Sequence, residues 1–258
     1  MPTTKPPLFP SQEKIKRAKA KFSYLMGSIN NYIRSNPYSI RKQTYGDRFY
    51  VIASRDKDIP EDVSFEVVEL VYHLRTALDK MMVALVARNE RGTSGVGFPF
   101  GGMSSNGEPE QFPTKRMEDG IKKKLTTDQW ALIEAQRPYP GGNDTLWAIN
   151  ELSNEDKHRK DLVEALADPG ASVDITRLEP SSTVSIGINN PAVIHDQERE
   201  VVLFSTDLAR NKRIDSTISP AVVFGPIPPV QGQNVLVTLN QQIRLVEGIV
   251  GVFRQSFF

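Results

Sequence analysis

Apolar residues recur along this chain at steps of three and four in some stretches and at steps of two in others. The two periods divide it into helical and β-rich parts. Ile15, Ala18, Phe22, Leu25, Ile29 and Tyr32 fall on one face of a helix predicted over about 11–35, with Ser11 as N-cap and Asn36-Pro37 as its end. The four prolines of residues 1–10 break any period before it and predict a flexible arm. Alternation over 38–43 and 48–54, around Thr44-Tyr45-Gly46-Asp47, predicts a hairpin within 38–54. Val67, Val71, Leu74, Leu78, Met81 and Leu85 then form the longest stripe, which predicts a central core helix over about 62–89.

Between 91 and 113, six glycines and three prolines remove all periodicity, and a long surface loop is expected. Helical pattern returns at 114–125, 127–136 and from 144, with a hard break at 137–142. The helical part is expected to run to about 168. Short branched-rich runs at 172–178, 183–188, 199–205 and 221–224 predict strands within a β part at 171–226. Val235, Leu239, Ile243, Val246, Val250 and Phe253 predict a terminal helix over 234–254, packed back on the helical part. The expectation is therefore an α+β fold: an arm at 1–10, then a single domain at 11–258. In that domain a helical bundle surrounds a long central helix, beside a predominantly antiparallel β region and a C-terminal helix.

Composition narrows the function classes. Lys+Arg 32 against Asp+Glu 31 leave the 258 residues at +1, which fits neither a polybasic coat protein nor an acidic disordered chain. Cysteine is absent, so disulfides, thiolate nucleophiles and thiolate metal sites are excluded. Three scattered histidines, His73, His158 and His195, make no zinc-binding spacing, and no metal or cofactor is expected. The glycines of the loop precede no Gly-Lys-Ser/Thr, so they are not a phosphate-binding loop. The first residues lack the apolar run of a signal peptide, and the longest apolar run, 81–87, is too short for a bilayer. A soluble, cytoplasmic protein with no membrane partner is expected. Lys14, Lys16, Arg17, Lys19 and Lys21 make one face of the first helix basic, which is ordinarily a solvated face.

Candidate chemistry concentrates in two places. Arg75 and Asp79 lie one turn apart beside the central stripe and can pair. Residues 146–159 (LWAINELSNEDKHR) are the densest polar segment. There Ser153 and Asp156 have the spacing of a capping box, which predicts a new helix carrying His158 on one face with Leu162 and Ala165. His158 would then point towards Arg75 and Asp79. Such a cluster supports three readings, one of them the binding of a ligand without chemistry. An imidazole that titrates near neutrality, with Lys157, Arg159 and Arg75 to hold a phosphate, suffices for metal-free phosphodiester cleavage. Alternatively Arg75, Asp79, Asn154 and His158 form a hydrogen-bonded network that fastens two helices.

The pair of motifs, Leu74-Arg75-Thr76-Ala77-Leu78-Asp79 and Leu146-Trp147 through Asn150, Leu152, Asn154 and Asp156-Lys157-His158-Arg159, resembles a family of uncharacterised bacterial proteins with LRxALD and LWxxNxLxNxDKHR motifs. Phe98-Pro99-Phe100 and the β part followed by a terminal helix look like the same family. Lys80 stands where its members often carry His. The resemblance implies an architecture and adds Asn150 to the candidate residues. Asn154 to His158 is also similar to the Asn-x3-His end of the motif of HEPN domains, helical bundles that include metal-independent ribonucleases. Ser153 stands where that motif has arginine. The candidates are thus His158, Arg75 and Arg159 for catalysis, and Asp79, Asn150, Asn154, Asp156 and Lys157 for binding. The partner is an unknown ligand, with RNA as the alternative.

Overall fold

In a computed structural model, residues 6–46, 48–155, 162–170, 187–188, 192–194, 199–206 and 217–258 are described. Among these residues six α-helices and small antiparallel sheets give the α+β fold expected. Helix α1 (Phe9–Arg34) starts earlier than its periodicity suggests. Leu8, within the expected arm, is 2% exposed and belongs to the core, which holds the chain in place ahead of the first turn. Pro10 sits in that turn, where a missing N–H costs nothing. Ser11 is consequently a buried residue inside the helix, not its cap.

Strands β1 (Tyr38–Tyr45) and β2 (Arg48–Arg55) form the hairpin, with Gly46 at φ 62° supplying the left-handed residue of a tight turn. Helix α2 (Glu61–Arg88) is the central element. Its buried stripe from Val63 to Val86 touches α1 and the later helices, and Leu74, Leu78, Met81 and Leu85 are fully buried. α1 and α2 run antiparallel. Ser28 donates to Asp62 at 3.1 Å, Lys21 to Glu66 at 3.1 Å, and the Lys14 ammonium lies 5.0 Å from the Tyr72 ring centre.

The loop that follows is irregular, but it is no free lid. Phe98 is 2% exposed, and Val96, Phe100 and Phe112 pack on the core. Short α3 (Lys115–Asp119) and a 3₁₀ turn (Lys122–Lys124) lead to α4 (Thr127–Ala135), opened by a capping box of Thr126 and Gln129. Helix α5 (Asp144–Glu155) then packs on α2.

The element that follows α5 differs from the sequence expectation, whereas the strands expected at 199–205 and 221–224 are present. Residues 163–170 form strand β3 (Val163–Gly170), where the helical part was expected to continue. Pro169-Gly170 cannot sustain a helix. β3 also finds partners on both sides, β5 (Ala192–Ile194) and β7 (Thr217–Phe224), so cross-strand pairing overrides the local helical pattern. Ala165 therefore lies in a strand and Leu162 in the bend before it, not on the helix expected there. In the second sheet β6 (Glu200–Thr206) pairs with both β2 and β4 (Gly187–Ile188), giving the order β1-β2-β6-β4. The hairpin is thus the edge of a larger sheet. A register shift between Val51 and Ile52 lets Val51, Ile52 and Ala53 all be buried. The strand expected at 172–178 lies outside the described residues.

Helix α6 (Val235–Phe257) is capped by the Asn234 side-chain oxygen Oδ1, which accepts from the Val237 N–H at 3.1 Å. It packs on α1, α2 and α5, as its stripe predicts. Among the described residues no helix is long and apolar enough to cross a membrane.

Candidate functional site

Because Leu74 and Leu78 face the core, Arg75 and Asp79 are turned to the side of α2, one above the other. The Arg75 Nε lies 3.5 Å from Asp79 Oδ1. Its Nη1 donates to Asn150 Oδ1 on α5. The guanidinium also lies over the Phe100 ring, 4.2 Å from its centre, and so combines an ion pair, a hydrogen bond and a cation–π contact. Asp79 Oδ1 accepts from the Phe98 N–H at 2.8 Å. A Cβ on Gly97 would lie 3.1 Å from that oxygen, so a glycine there lets the loop backbone come close to the carboxylate. Four residues on, the Gly101 N–H donates to the Pro138 carbonyl at 2.8 Å and joins the loop to the turn before α5.

The cluster therefore holds three pieces of chain: α2, the Phe98-Pro99-Phe100 loop and α5. The Arg75 side chain is 24% exposed. Burial pushes its pKa below the ordinary arginine value, and the Asp79 carboxylate opposes that shift; the guanidinium remains charged. Asn150, in turn, donates through Nδ2 to Glu151 Oε1 at 2.9 Å.

Of the sequence candidates, Arg75, Asp79 and Asn150 come together. Asn154 lies one turn further along α5 and is exposed. Asp156, Lys157, His158 and Arg159 lie outside the described residues, as does His195. The helix start expected at Ser153 is not found, because α5 runs without a break through Ser153 to Glu155. Intrahelical bonding from the upstream Leu-Trp-Ala-Ile segment carries through the cap-like spacing. What the sequence reading missed is the role of the Phe-Pro-Phe loop as the lid over the arginine. Its signal was two aromatics inside a Gly-rich, otherwise polar stretch, which a solvated loop has no reason to carry.

The basic face of α1 is neutralised in part. Lys19 pairs with Glu247 of α6 at 2.6 Å, and Lys21 bridges Glu66 and Glu69 of α2. The pairing raises the Lys21 pKa and lowers that of Glu69. Arg17, Lys21, Tyr24, Glu66, Glu69 and His73 line an open groove of about 690 Å³ between the two helices. Desolvation lowers the His73 pKa, with Lys14, Arg17 and Lys21 acting in the same direction and Glu69 against them. A histidine with a folded pKa below its unfolded value binds more protons when unfolded, so its neutral form favours the fold and acid opposes it. Urea midpoints measured across pH should fall as pH drops below about 6.5, and His73→Gln should flatten that part of the profile. An unchanged profile in the variant would show that His73 carries none of it.

Set against models of known families, against curated proteins and against solved structures, the chain matches none.

Proposed function

We propose that this chain is a cytoplasmic binding or regulatory module, and that its Arg75 cluster is an internal fastening around which the module is built. One observation supports this most: the Arg75 guanidinium is already engaged by Asp79, Asn150 and Phe100. To hold a phosphate it would have to release those contacts, which a folded helix pair resists. A ribonuclease needs a donor set open to substrate before the reaction begins.

The test is a pair of measurements on the purified chain. Wild-type protein incubated with structured and single-stranded RNA is expected to leave both intact, and Arg75→Ala is expected to melt early. RNA cleavage that is abolished by His158→Ala at an unchanged melting temperature would replace this reading with the HEPN-like ribonuclease. A general base accounts for about 10² to 10⁴-fold in rate, so the loss would be unmistakable.

A further inference from the structure

The outer face of the α1–α2 pair carries three large aromatics that stand mostly exposed. Tyr24 is 56% exposed, Phe65 is 70% exposed and Tyr72 is 55% exposed. Phe65 and Tyr72 are seven residues apart, two turns along the same side of α2. Scattered exposed apolar residues need no explanation, but aromatics aligned along one helix pair mark an interaction surface.

Charge along that face is graded. At the Tyr72 end stand Lys14, over the Tyr72 ring, and Arg17, and among the described residues no carboxylate pairs with either. At the Phe65 end stand Glu61 and Asp62 in the first turn of α2. Between the ends Lys21 bridges Glu66 and Glu69, which leaves one net negative charge. One end is therefore positive, the other negative and the middle weakly negative.

We propose that this face is where a second copy of the chain packs, about a two-fold axis passing near Val68 and Glu69. A two-fold interface must be complementary to itself, and a face that is positive at one end and negative at the other meets that condition when turned end for end. Tyr72 of one copy then meets Phe65 of the other, and Lys14 comes within reach of Glu61. α1 has 26 residues and α2 has 28, so the pair is about 40 Å long and each helix about 10 Å across, enough for the roughly 800 Å² per partner of a stable interface. A nucleic acid fits less well. Its phosphates would meet Glu66 and Glu69 in the middle of the groove and Asp62 at the Phe65 end.

Sedimentation or light scattering of the full chain from about 1 to 100 μM should show a dimer that weakens as salt is raised. Phe65→Ser and Tyr72→Ser, both exposed in the monomer, should leave the melting curve of the dilute protein intact and weaken the dimer about tenfold or more. Lys14→Glu should do the same, and Lys14→Glu with Glu61→Lys should restore it, because the swap reverses the gradient without removing it. A wild-type chain that stays monomeric throughout, or a dimer indifferent to both Phe65→Ser and Tyr72→Ser, would overturn the proposal. So would a monomer that binds a single-stranded oligonucleotide through Phe65 and Tyr72, which would assign the face to nucleic acid.

Discussion

Arg75→Ala is expected to cost roughly 2 kcal/mol, because it leaves the Asp79 carboxylate and the Asn150 carbonyl oxygen half-buried without their cation and uncovers one face of the Phe100 ring. For a chain of this length that corresponds to a fall of about 4 to 8 °C in melting temperature. The figure lies below that for a fully buried ion pair because Arg75 is 24% and Asp79 33% exposed, and water softens the loss. Arg75→Lys should recover less than half of it. A single ammonium cannot reach Asp79 and Asn150 together and lie flat on Phe100. Asp79→Asn should fall between, since an amide oxygen can still accept from the Phe98 N–H while the ion pair is gone. Lys80→Ala, one residue further and exposed, should be silent. Calorimetric scans of the four variants check the series, and an Arg75→Ala protein that melts like wild type would remove the fastening role.

This cluster also marks how far the sequence could be read. The two motifs are periodic on their own helices, so the pairing of Arg75 with Asp79 was legible from an i,i+4 spacing alone. That Arg75 would meet Asn150 and not Asn154 was not legible. The choice depends on where along its length α5 crosses α2, and crossing geometry is set by packing across the whole interface. The same holds for β3. Val163 to Leu166 reads equally well as the end of a helix or as a strand, and only the presence of β5 and β7 on either side decides it. By contrast α2 and α6 were readable almost to their ends. Their stripes are long and unbroken, and nothing in tertiary structure competes with them.

The loop at 91–113 illustrates a third kind of limit. Glycine content argued for freedom, yet several of these glycines serve close approach. Gly101 is the sharpest case, and Gly101→Ala should be among the most damaging single substitutions in the molecule. An added Cβ there would lie 2.5 Å from the Tyr139 Cβ, 3.3 Å from the Tyr139 Cα and 3.4 Å from the Phe112 ring. None of these is the loose end of a side chain. The Tyr139 ring lies against Phe112, 5.2 Å between centres, and its backbone is held by hydrogen bonds to Arg137 and Gly142 at 2.8 and 2.9 Å. The clash must therefore be relieved by moving the loop, at a cost of about 2 to 3 kcal/mol, the upper part of the range for overpacking. Gly102→Ala is the matched control: its Cβ would meet Glu110 Oε2 at 3.3 Å, a flexible carboxylate that can swing away, and the change should be close to neutral. A displaced Gly101 drags Phe100 off the Arg75 guanidinium and loosens the Phe98 N–H from Asp79. Gly101→Ala and Arg75→Ala then remove partly the same contacts, so the double variant should lose less than the sum of the two single losses. Strict additivity in chemical denaturation would mean that the loop and the arginine are independent, and that the cluster fastens two elements instead of three.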